Sequence, residues 1–151
     1  MGLDQWLHLR VRVDEVLTNS NKLEVKTDMK QFEIPISEIK GIDLRAMYWR
    51  KNYAINQYFL DKAGNPEDDN CIYLYIDRRD IIELRDHILE IIRAKTKEES
   101  LELAKKYLPA TDLEEFFDFY LNSFKETVGF LDDAISKPYF EFIEFYYYIW
   151  Y

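Results

Sequence analysis

IYLYIDRRDIIELRDHILEIIRAK, residues 72–95, changes its hydrophobic period partway along. Up to Ile76 the apolar Ile72, Leu74 and Ile76 alternate with Tyr73 and Tyr75, the two-residue repeat of a strand. Beyond Asp77 the apolar Ile81, Leu84, Ile88 and Ile91 recur every three or four residues, which predicts a helix of about four turns with one buried stripe. Asp77 stands at the junction, where its carboxylate can cap the first turn. Strand and helix in direct succession set the fold class.

Toward the N-terminus the strand repeat returns. Leu7, Leu9, Val11 and Val13 share one face and His8, Arg10, Arg12 and Asp14 the other, in a strand expected over 7–16. Asn19-Ser20-Asn21 is turn chemistry and residues 22–27 alternate again, which predicts a hairpin with that first strand. Phe32, Ile34 and Ile36 continue the pattern, with Pro35 at a strand end or edge, and Ser37 with Glu38 opens a short turn before Gly41. Toward the C-terminus, Thr96 and Glu99 form a capping-box pattern for a helix through Leu101, Leu103 and Ala104, which Pro109 ends. Thr111 or Asp112 caps a long helix running past Phe116, Tyr120, Phe124 and Val128 toward Ile135. After Pro138 the residues YFEFIEFYYYIWY read as an aromatic strand. The expectation is an α+β fold in a single domain, 1–151, with a small antiparallel sheet and three to four helices packed on one face.

Composition narrows the function classes. The chain has 151 residues, 48% of them hydrophobic and 17% aromatic, which is the composition of a packed domain and not of a disordered one. Its net charge of −9 disfavours direct nucleic-acid binding, which requires a cationic footprint. The charge is uneven: residues 98–151 hold twelve Asp/Glu against four Lys/Arg, and residues 1–97 hold seventeen against sixteen. The acidic third points to a basic partner or to simple solubility. A single cysteine, Cys71, excludes an intramolecular disulfide and a Cys-based zinc cluster. Charges interrupt every apolar run of the opening MGLDQWLHLRVRVDE, so neither a signal peptide nor a membrane span is expected.

Several elements together resemble a family of bacteriophage and prophage accessory proteins. They are the opening Met1-Gly2-Leu3-Asp4, the helix pattern Tyr48-Trp49-Arg50-Lys51 followed by Ala54-Ile55, the loop Asp68-Asp69-Asn70-Cys71, the Leu108-Pro109 break and the aromatic strand 145–150. Family members carry His where this chain has Asn56, and a Gly- and Phe-rich stretch where it has the acidic ATDLEEFFDFYLNSF. The resemblance implies a phage accessory protein acting in the host bacterial cytoplasm, and it implies no mechanism.

Residues 44–60, LRAMYWRKNYAINQYFL, read as one amphipathic helix capped by Asp43. Leu44, Met47, Tyr48, Ile55, Tyr58 and Phe59 would form its buried stripe, and Arg45, Trp49, Asn52 and Asn56 a second line flanked by Arg50 and Lys51. Those six residues can line a pocket for an anionic nucleotide, with indole stacking, a guanidinium fork and orienting amides. Alternatively Trp49 packs beneath the sheet and the cations are solvated.

The acidic, aromatic-rich helix and closing strand offer a second surface. Glu114, Glu115, Asp118, Tyr120, Asp132, Asp133, Tyr147 and Trp150 are its candidate contacts to a basic protein. Aromatics on both faces of the last strand make a homodimer possible as well. Arg78, Arg79 and Arg85 beside Asp77, Asp80 and Asp86 read as a salt-bridged surface, and Asp68 with Asp69 as a capped loop without calcium-loop spacing. His8 falls on a strand's polar face, His87 between helix faces, and Cys71 at a strand start expected to be buried. No nucleophile–base pair, metal set or cofactor motif assembles, so the expectation is a non-enzymatic binding protein that inhibits a bacterial antiviral-defence or nucleic-acid-handling protein.

Overall fold

The computed structural model describes residues 2–13 and 22–151. The turn expected at Asn19-Ser20-Asn21 and the end of the first strand, through residue 16, lie outside them. The fold is α+β, with a five-stranded antiparallel sheet and four helices on one of its faces. Strand β1 (Asp4–Arg12) lies beside β7 (Ile143–Trp150), and β7 is flanked on its other side by β6 (Tyr73–Ile76). Two short strands share the remaining edge of β1. Strand β5 (Met47–Arg50) pairs with its first half and β4 (Gly41–Asp43) with its end.

Among the described residues β1 and residues 22–27 do not pair in the expected hairpin. Strand β2 (Lys22–Lys26) pairs with β3 (Gln31–Pro35) in a separate two-stranded sheet. A tight turn explains that choice: Thr27 N donates to Lys30 O at 2.8 Å, and Thr27 Oγ1 accepts from Lys30 N at 3.1 Å. The β1 edge goes instead to β7, which matches it over eight residue pairs from Asp4↔Trp150 to Val11↔Ile143. Pro35 ends β3, as expected of a residue with no N–H to give a ladder.

The helices follow their sequence signals closely. Helix α2 (Arg78–Arg93) is capped by Asp77, whose carboxylate accepts from Arg79 N, and it buries Ile81, Leu84, Ile88 and Ile91. Helix α3 (Lys97–Tyr107) starts where Thr96 accepts from Glu99 N, while Glu99 reaches back to Lys95 N. It ends at Leu108, before Pro109. The long acidic helix is interrupted at its start. A π-helical turn at Phe116–Tyr120 precedes α4 (Leu121–Ile135).

The core lies between the helices and one sheet face. Leu7, Leu9, Ile143, Phe145, Tyr147 and Ile149 point inward from the two central strands, against Phe59, Leu84, Ile88, Phe124 and Leu131. At its middle Tyr147 lies 4.6 Å from the Phe59 ring, and its hydroxyl is 2.9 Å from both the Gln5 and the Asn56 side-chain oxygens. One phenolic hydrogen serves one of those oxygens. Gln5 Nε2 is buried and otherwise unpartnered, so the Gln5 amide is best oriented with its nitrogen toward the phenol, donating to it.

Candidate functional site

Residues 44–60 are not one helix. They form β5, a break at Lys51 with φ of 56°, and helix α1 (Tyr53–Lys62), whose N-cap is Asn52. Asp43, expected as the cap, ends β4 and pairs with Arg10. The local reason is legible afterwards: Met-Tyr-Trp-Arg suits a pleated edge, and Asn is a strong cap. The six expected ligand contacts consequently do not share a face. Trp49 is 3% exposed, with its Nε1–H donated to Thr127 Oγ1 at 2.8 Å. Thr127 passes its own hydroxyl hydrogen to Ser123 O. Asn52 is fully buried, accepting from Ile55 N and donating to Ser123 Oγ. Asn56 is buried beside Tyr147. Only Arg45, Arg50 and Lys51 remain exposed. Burial and hydrogen bonds already occupy Trp49 and both amides, so they do not form the expected stacked and amide-held arrangement, although Trp49 contributes to the lining of a depression shared with Arg50 and Asp118.

The acidic set divides in two. Asp132 pairs with Arg85 at 3.0 Å and Asp133 with Lys137 at 3.1 Å, so these two carboxylates are matched. Tyr120 and Tyr147 are core residues, buried where their rings fill the interior, and offer nothing to a partner. Glu114, Glu115 and Asp118 are exposed, and among the described residues no cation pairs with them or with nearby Glu126. Leu113, Glu114 and Glu115 lead into the π-helical turn, Phe117, Asp118 and Phe119 lie in it and Glu126 follows on α4, so exposed acids and apolar side chains alternate in one knob. Beside this acidic knob lies a depression of about 300 Å³, lined among others by Tyr48, Arg50, Asp118, Phe119 and Glu126. The structure therefore brings part of the two sequence sets together, at the β5 edge. No sequence signal foretold the π-helical turn.

A further surface lies on the sheet face away from the helices. Pairing aligns its side chains in rows across the strands. Tyr48, Trp6, Tyr148 and Tyr73 form one row over β5, β1, β7 and β6. Neighbouring rings in it are 5.3, 5.7 and 4.8 Å apart. His8, Tyr146 and Tyr75 form the next. Charged rows flank both: Arg50, Asp4 and Trp150 at one end, and Asp43, Arg10 and Glu144 with Arg12 at the other. Arg10 forks onto Asp43 at 2.6 and 3.2 Å, which lowers the Asp43 carboxyl below its usual range. A groove of about 360 Å³ runs between His8, Arg10, Asp43, Tyr73 and Tyr146. Partial burial holds His8 below its ordinary 6.5, with Asp43 pulling it back up and Arg10 pushing it further down. The nearby Cys71 thiol raises the Tyr148 phenol above its ordinary range. Cys71 itself is exposed, not buried as expected, because it sits at φ of 60° in the turn before β6.

Elsewhere Arg79 pairs with Asp77 and Arg85 with Asp86, the salt-bridged surface expected of that cluster. His87 stacks on Tyr107 at 4.1 Å between α2 and α3. Asp69 accepts from the Tyr151 hydroxyl. Among the described residues no group of three or more His, Cys, Asp or Glu is placed to hold a metal ion, and no helix is long and apolar enough to cross a membrane. No family model, curated protein or solved structure matches the chain.

Proposed function

We propose that the protein is a non-enzymatic, phage-encoded binding protein that docks on a basic surface of a bacterial host protein through its acidic knob. The observation that carries this is the set of unmatched carboxylates at Glu114, Glu115, Asp118 and Glu126 around exposed Leu113, Phe117 and Phe119. Unmatched acids raise the rate of encounter with a cationic surface, and apolar anchors at the centre supply affinity that charge alone does not. The surfaces complementary to such a knob are grooves that ordinarily hold DNA or RNA, which favours an antiviral-defence or nucleic-acid-handling target. The phage setting rests on the motifs quoted above and on nothing in the fold.

The test is capture from a bacterial lysate by the tagged protein and by its Glu114→Gln/Glu115→Gln/Asp118→Asn variant. A partner retained at about 0.05 M salt should be released by about 0.5 M, where screening acts within a few ångströms. The variant should lose it. Equal retention by both proteins would remove the knob as the contact.

A further inference from the structure

We propose that the outer face of the sheet is the interface of a homodimer, covered in solution by a second copy of this chain lying face to face on it. The surface meets the depression beside the acidic knob at the β5 edge, where Tyr48 and Arg50 belong to both, and its other rows lie away from the knob. Its centre is two rows of aromatic rings, and Tyr48, Tyr73, Tyr75 and Trp150 are each about half exposed or more. Its two ends are charged. Aromatic centre and charged rim is the anatomy of a protein interface, and Trp, Tyr and Arg are the residues that dominate one.

Three observations select a second copy as the occupant. The first is charge. The rim holds Arg10, Arg12 and Arg50 against Asp4, Asp43 and Glu144, a net of zero in a chain of net −9. Two chains of net −9 repel on the whole, and a neutral patch meeting its own image is a place where that repulsion is least. Each rim carries both signs, so a two-fold rotation sets cation near carboxylate in either orientation of the axis. A strand of nucleic acid would gain stacking on the rings but little net counterion release from a patch of zero net charge in which Arg10 and Arg12 are already paired with Asp43 and Glu144.

The second is size. The sheet is four strand positions wide at about 4.8 Å each, because β4 and β5 share one edge, and its long strands β1 and β7 run nine and eight residues, which bounds the footprint at roughly 500 Å² in projection. Corrugated by two rows of rings, that approaches the about 800 Å² per partner of a standard interface. The third is order. Tyr48, Trp6, Tyr148, Tyr73 and His8 touch ring to ring across four strands, so the rings are held in place before anything binds. Little side-chain freedom is left to lose on association.

Sedimentation of the full chain between about 1 and 100 μM tests the proposal over the affinity range of ordinary dimers. The expected mass is twice 18.4 kDa. Tyr75→Glu places a carboxylate among the rings and should raise the dissociation constant at least tenfold. Arg12→Glu, at the exposed rim and away from the core, should raise it too, with an unchanged circular dichroism spectrum showing that the fold survives. Added salt should tighten the dimer by screening two chains of the same sign, which is the reverse of its effect on the knob's basic partner. A monomer at every concentration overturns the proposal. So does a dimer indifferent to both substitutions, or a face that binds single-stranded oligonucleotide as a monomer.

Discussion

Tyr147 and Tyr148 are neighbours in one strand and live in different media. Tyr147 is fully buried under α1, with its hydroxyl committed to Gln5 and Asn56, and burial holds its proton well above the ordinary range. Tyr148 lies on the other face, against Trp6 and Tyr73, with its hydroxyl near the Cys71 thiol. The pleat makes this difference: a one-residue step turns a side chain from core to surface. What the contrast teaches is that the two faces of this sheet do separate jobs. The inner face holds the fold together, and the outer face is rigid, aromatic and free to be covered.

Substitutions on either side of the pleat should therefore differ in size. Tyr147→Ala should cost about 4 kcal/mol in urea unfolding, since it empties a filled core site and strands two amides. Thr127→Val, which leaves the Trp49 N–H buried without an acceptor, should cost about 2 kcal/mol. Tyr148→Ala should cost about 1 kcal/mol or less, the worth of a cross-strand pair. A Tyr148→Ala penalty equal to that of Tyr147→Ala would break the comparison. Removing the three knob carboxylates, Glu114→Gln/Glu115→Gln/Asp118→Asn, should move stability by no more than about 0.5 kcal/mol while changing partner capture.

The smallest effect sharpens the picture of the outer face. His8 faces Arg10 on its own strand, Asp43 on β4, Tyr146 and Tyr148 on β7 and Tyr73 on β6. Its folded pKa lies below 6.5, so the unfolded chain takes up the proton first. The contribution of His8 to stability is intact above about pH 6.5 and falls as pH drops through 6.5 toward the lower folded value. Unfolding midpoints measured between about pH 7.5 and 5.5, above the carboxylate range, should decline in the parent and decline less in His8→Phe. Equal slopes would mean that the outer face does not desolvate His8.

Elements whose period and caps agree were legible from sequence. Residues 72–95 gave both strand and helix because the alternation stops at Asp77, which is also the cap. Thr96 and Pro109 bound α3 for equally local reasons. The alternation of the last strand correctly placed aromatics on both faces. Residues 44–60 misled because Leu44, Met47, Tyr48, Ile55, Tyr58 and Phe59 fit a helical stripe by coincidence, and four residues of strand are too few to declare a period of two. The candidate site was less legible still. Whether a carboxylate is matched depends on contacts such as Arg85 with Asp132, forty-seven residues apart, and the neighbour of β1 lies more than a hundred residues away. Neither leaves a local trace.

That last pairing has a consequence for biosynthesis. Strand β1 begins at residue 4, and the strand beside it along its whole length ends at residue 150. On the ribosome, β1 emerges before β7 and then waits for it, with Leu7 and Leu9 short of their full cover, while the roughly 140 residues between them are translated. At ordinary bacterial elongation speeds this interval is roughly ten to thirty seconds. During it the edge of β1 that will face β7 stays unpaired even once β4 and β5 have taken the other edge, and chaperones can hold it or aggregates recruit it, so the yield of this protein in a cell should respond to holdase capacity.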